Sequence, residues 1–162
     1  MLEALQNSAF SQWLLVSEYG YPIFLTLHSL GLAMLVGVLI CIDLRILGVA
    51  RSIPLPPIKR LMLIVWIAFA VNAASGTALF AADAVKFINS PTFLLKLSSI
   101  TIGVVLAALM SSSVLGAQSA FESGGGSGRF GLDSPPVAKA LAVVSILVWI
   151  AAIGFGRYMA YE

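Results

Sequence analysis

Apolar residues dominate long stretches of this chain, and polar ones return at intervals that divide it into four such stretches. Residues 2 to 16 come first and differ from the rest. Leu2, Leu5, Ala9, Phe10, Trp13 and Leu14 recur at three-and-four spacing, with Glu3, Gln6, Asn7, Ser8, Ser11 and Gln12 between them. That alternation predicts an amphipathic helix lying in the membrane interface. Four apolar runs follow, at about 21–49, 61–82, 92–115 and 137–158. A hydrocarbon layer about 30 Å thick takes roughly 20 helical residues, so each run predicts one crossing. The expected fold is all-α: an integral membrane four-helix bundle preceded by an interfacial helix, forming a single transmembrane domain over 1–162.

The connections have their own chemistry. RSIPLPPIKR, residues 51 to 60, is basic and carries three prolines, which stop a helix. DAVKFINSPT makes the second turn, with Pro91 suited to a helix start. Residues 117 to 136 contain SGGGSGRFGLDSPP, a composition that predicts a flexible linker.

Composition supports a membrane protein. Of the 162 residues, 60% are hydrophobic and 10% charged, against about 25% charged in a soluble domain. The net charge of +2 is spread along the chain, which gives no footprint for a nucleic acid. Cys41 is the lone cysteine, so neither a disulfide nor a cysteine-based metal cluster is expected. The start, MLEALQNSAFSQW, lacks the basic region and cleavage site of a signal peptide and is expected to stay on the mature protein. Arg45, Arg51, Lys59, Arg60, Arg129 and Lys139 fall on the side of the first and third turns, and Lys86, Lys96 and Arg157 on the other. This imbalance predicts that both termini are periplasmic.

Lipid solvates leucine as well as a neighbouring helix does, so bundles in membranes are held by small and polar residues. Three spans show such stripes: Ala68, Asn72, Ser75, Gly76 and Asp83 in the second; Lys96, Ser99, Gly103, Ala107 and Ser111 in the third; Ala142, Ser145, Trp149, Ala152 and Gly156 in the fourth. Most of these serve packing alone. The first span offers two faces. Ser29, Ala33, Gly37 and Cys41 repeat along one side, and His28, Gly31, Leu32 and Leu35 lie nearly opposite. One face packs in the bundle, and the other is left for a second copy or another membrane subunit, which predicts a homo-oligomer or a complex.

His28 is the sole histidine, about two turns or roughly 10 Å inside the predicted outer boundary. Asn72 and Ser75 fall near the same depth, with Asp83 nearer the surface. An ionisable residue within a span is a functional candidate, and the bland alternative is a histidine that bonds a neighbouring helix. Asp43 and Arg45 close the first span and are expected to form an ion-paired anchor beside the basic turn.

YPIFLTLHSLGLAMLVGVLICIDLRILG, residues 21 to 48, resembles the opening span of a bacterial family of small, uncharacterised four-helix inner-membrane proteins, in its Tyr-Pro start, its His followed by Gly three residues on, and its Asp-Leu-Arg exit. FAVNAASGTALFAADAVKFINSPTFLLKL, residues 69 to 97, looks like the same family's second span and its lead into the third. More remotely, the His, a Gly nine residues on and an Arg seventeen residues on are similar to copper-resistance D domains and to the haem-binding four-helix protoporphyrinogen oxidases. Leu25 stands where relatives carry a carboxylate, and a single histidine excludes bis-His ligation of haem within one subunit.

These resemblances imply a bacterial inner-membrane protein binding a b-type haem or other redox cofactor near the outer face, in electron transfer or in a membrane complex. His28 would be the metal ligand, Gly31 would leave room for the porphyrin edge, and Lys96 and Arg157 would neutralise propionates. The alternative is a permeation or accessory subunit in which His28, Asn72, Ser75 and Asp83 line a path for a metal ion, a proton or a small solute. The absence of a nucleophile–base pair argues against hydrolysis.

Overall fold

The computed structural model describes residues 2–49, 58–122 and 136–161, all of them helix or short connection. Seven α-helices follow in chain order: α1 (Leu2–Gln6), α2 (Ala9–Val16), α3 (Gly20–Leu47), α4 (Ile58–Ala82), α5 (Ala84–Asn89), α6 (Pro91–Glu122) and α7 (Pro136–Tyr158), with a final 3-10 turn at Met159–Tyr161. Four are long and apolar enough to cross a membrane, through Gly20–Leu47, Arg60–Ala82, Pro91–Ser111 and Pro136–Tyr158. The chain is a multi-pass membrane protein, and its architecture is an all-α four-helix bundle.

Around the bundle the order is α4, α3, α7, α6, and the seam that closes the ring, α4 against α6, is the thinnest. α3 is the central element. Its buried positions Leu35, Leu39, Ile42 and Ile46 pack with Val65 of α4, Met110 of α6 and Trp149 of α7. The outward face carries Leu30, Met34, Ile67, Leu95, Val105 and Ile150, which suit lipid. All three small-residue stripes turn inward: Ala68, Asn72 and Ser75 of α4, Gly103, Ala107 and Ser111 of α6, and Ala142, Ser145, Trp149 and Ala152 of α7 are buried. Gly103 shows why small residues are needed. A Cβ there would lie 2.8 Å from the Trp149 ring, so the indole occupies the space that glycine leaves open on α6.

The ends are set by local chemistry. α3 stops where Gly48 adopts a left-handed φ of 83°. The Val49 N–H donates to the Leu44 carbonyl at 3.0 Å and the Gly48 N–H to that of Arg45 at 3.1 Å, the Schellman closure of a helix end. α6 starts at Pro91, and the Phe93 N–H donates to Ser90 Oγ at 3.2 Å, a serine cap of the kind that satisfies a free first-turn donor.

Four expectations need adjustment. The helix read over 2–16 is broken at Asn7–Ser8 into α1 and α2, because Ser8 caps α2 by accepting from the Ser11 N–H at 3.3 Å. Ser11, expected on the polar side, is buried: its hydroxyl lies 3.0 Å from both the Leu5 and the Ala81 carbonyls. Ala81 is in the last turn of α4, where carbonyls have no partner within the helix. The second turn contains α5, roofed by Phe80, Phe87 and Phe93, whose rings stack with centroids 5.4–6.4 Å apart. Finally, α6 continues past Leu115 to Glu122, into the segment read as linker. Arg51 and Arg129, used in counting basic residues, lie outside the described residues, as does the glycine-rich stretch.

α1, α2 and α5 all gather at the end of the bundle where α3 begins. This is called the capped end below. The other is the far end.

Candidate functional site at the four-helix junction

His28 sits two turns into α3 on the side that meets α4, half-buried. Its Nδ1 lies 3.0 Å from the backbone oxygen of Asn72 and 3.4 Å from Ser75 Oγ. A carbonyl only accepts, so Nδ1 carries the hydrogen and donates it. In the neutral ring the lone pair is therefore on Nε2. A backbone carbonyl on one ring nitrogen is also how histidine ligands are commonly oriented, leaving the other nitrogen as the donor atom. Ser75 is held in place by donating to the Val71 carbonyl at 2.7 Å.

Two glycines make this approach possible, in different ways. At Gly76 a Cβ would lie 2.9 Å from His28 Cε1, so the imidazole rests in the gap left by the missing side chain. At Gly31 a Cβ would lie 3.1 Å from the Asn72 nitrogen and 3.2 Å from the Ala68 oxygen. Gly31 thus brings the α3 and α4 backbones together. That space, which the resemblance assigned to a porphyrin edge, is filled by α4.

α6 and α7 complete the junction. Lys96 of α6 is half-buried. It crosses the surface of α7 at Gly156, where a Cβ would lie 3.4 Å from the lysine Cε and 3.5 Å from Nζ. The lysine stem thus packs across a glycine of the neighbouring helix. Lys96 and His28 both lie within about two turns of the capped end, on α6 and α3. On α4, Asn72 is buried and its Oδ1 has no partner among the described residues. The junction therefore combines a nitrogen lone pair, an ammonium group and an open amide acceptor, drawn from three helices and bordered by the fourth.

The other expected site residues lie elsewhere. Asp83 is at the capped end, accepting from Gln6 Nε2 at 3.5 Å, two turns beyond Ser75. Arg157 is exposed, with its guanidinium over the Tyr161 ring at 5.8 Å. Ser29, Ala33, Gly37 and Cys41 form an exposed strip on the opposite side of α3, and a Cβ at Gly37 would meet nothing within 4 Å. No group of three or more His, Cys, Asp or Glu residues that could hold a metal ion occurs among the described residues.

The residues that sequence reasoning missed are glycines. Gly76 appeared only as one member of a packing stripe, yet it seats the histidine. Its signal is a spacing: Asn72, Ser75 and Gly76 offer a carbonyl, a hydroxyl and a gap on one helical face. Comparison of the chain with protein-family models, curated proteins and solved structures gives no match in any of the three.

Proposed function

We propose that the junction is the ligand site of an integral membrane protein, with His28 Nε2 as the donor atom and a b-type haem as the group to test first. One observation carries this reading: the Nδ1–H of His28 is committed to the Asn72 carbonyl at 3.0 Å, which presents Nε2 as a lone pair. The donor set suits haem in two respects. A single imidazole can be one axial ligand, and Lys96, half-buried on α6, would supply a positive charge for a propionate. Axial ligation and burial are what set the redox behaviour of such a group. Gly31 takes no part in seating it, and Arg157 would reach it only by leaving Tyr161. The thin α4/α6 seam is the approach that the packing favours. With one histidine per chain, the second axial position would be open or filled from another subunit.

On this reading the capped end faces the periplasm of a bacterial inner membrane, and the protein works in electron transfer or as a subunit of a membrane complex. The permeation alternative has less support. Leu35, Leu39 and Val65, each at most 1% exposed, fill the section of the bundle below the junction, and Asp83 stands apart from His28.

The test is optical. Protein purified in mild detergent after expression with haem precursor should show a Soret band and b-type bands on reduction. His28→Ala should abolish them while leaving helical circular dichroism unchanged. A well-folded, colourless preparation that fails to take up added haemin would end the haem reading.

A further inference from the structure

A second polar cluster lies in the far half of the bundle, on the seam between α3 and α7. Asp43 is fully buried at 0% exposure, and neither carboxylate oxygen has a hydrogen-bond partner among the described residues. Ser145 of α7 is the side chain within reach of it, although the two are not in hydrogen-bonding geometry. That serine is 1% exposed, and its Oγ is also without a partner. One turn along α7, Trp149 is 0% exposed with an unpartnered Nε1. The expected ion-paired anchor is not formed by Asp43. Arg45 on its own helix, Arg60 at the start of α4 and Lys139 in the first turn of α7 are charged groups on the helices around it, and among the described residues no hydrogen bond joins any of them to the carboxylate.

An aspartate could have turned towards the interface four residues from the end of its helix. This one faces inward and is fully buried. A charged carboxylate with no cation bonded to it among the described residues, and with the Ser145 hydroxyl as the donor facing it, is costly to keep in such surroundings. The oxygens must therefore hold something positive. Calcium takes six to eight oxygen ligands and magnesium an octahedron of them, zinc sites are built mainly from histidine and cysteine, and this cluster offers two carboxylate oxygens and one hydroxyl. A proton needs one acceptor and then gives the new O–H a donor role.

We propose that Asp43 and Ser145 form an intramembrane proton-binding site in the far half of the bundle. The carboxylate takes one proton from water at the far end, becoming a carboxylic acid, and the new O–H donates to Ser145 Oγ. Release returns the proton to the same water. The bound proton ties α3 to α7, and its loss leaves an unpaired charge in that seam. Fifteen residues of α3, about 22 Å at 1.5 Å per residue, separate this site from His28, with Leu35 and Leu39 buried between them. The site is therefore independent of any ligand at the junction.

Infrared spectroscopy of the full chain in lipid nanodiscs at neutral pH tests this. The chain has three aspartates, Asp43, Asp83 and Asp133, so carboxyl-13C-aspartate labelling marks their bands without altering the protein. One protonated-carboxyl C=O band should shift with the label and move on transfer to D2O. Asp43→Asn should remove it, and Ser145→Ala should displace it. If Asp43→Asn does not fold, the label, the D2O shift and the Ser145→Ala displacement still decide the matter. Absence of a label-sensitive protonated-carboxyl band from the folded wild type would overturn the proposal. So would a band unaffected by either substitution.

Discussion

A single missing side chain decides where His28 can sit. The imidazole occupies the position of a Cβ at Gly76, 2.9 Å from His28 Cε1, so Gly76→Ala must displace the ring, the helix or both. Forcing an extra methyl group into packed space costs about 1–3 kcal/mol, and here it should also break the bond from Nδ1 to Asn72. Thermal unfolding in detergent should show the loss of stability, and any ligand held through His28 should be lost with it. Full stability with unchanged binding would mean that the ring is not seated there. At this scale the sequence was informative about residue type and less so about contacts. A lone histidine in an apolar run marks itself, as do Asn72 and Ser75 near its depth. Periodicity could not say that Lys96 packs across Gly156 or that no hydrogen bond joins Asp43 to a described arginine, because side-chain direction depends on the neighbouring helix.

Among the elements, α3 has two faces that make opposite predictions. Gly31 lies against the α4 backbone at 3.1–3.2 Å, so Gly31→Ala should push the two helices apart and destabilise the monomer by about 1–3 kcal/mol. Gly37 meets nothing within 4 Å, so Gly37→Leu should leave the isolated chain as stable as before. The strip of Ser29, Ala33, Gly37 and Cys41 is nonetheless of the kind that lets helices approach closely in lipid. If it joins two copies, Gly37→Leu should convert a dimer or larger assembly to monomer in native mass spectrometry. A monomer before and after the substitution would count against an assembly through this face. Helix spans and inward stripes were legible because membrane helices need long apolar runs and small contact residues. The break between α1 and α2 was less so: it turns on the Ser8 cap and on Ser11 reaching a carbonyl at the end of α4, a partner seventy residues away.

For the whole molecule, the two ends differ in kind. One is roofed by short helices and stacked aromatics above the His28 junction, and the other half carries the Asp43 cluster. The distribution of Lys and Arg predicts that a reporter fused after Glu162 is exported and that one inserted at Gly125 stays in the cytoplasm; the reverse pattern would invert the assignment of sides. The central claim, that four helices converge to present His28 Nε2 as a donor, can be measured at one residue. Because His28 is the sole histidine, protein grown on 15N-histidine gives the signals of that ring alone. Nitrogen NMR of the ligand-free protein in lipid at neutral pH should show Nδ1 bearing the hydrogen and Nε2 as the unprotonated nitrogen. A ring with its hydrogen on Nε2, or with hydrogens on both nitrogens, would contradict the account.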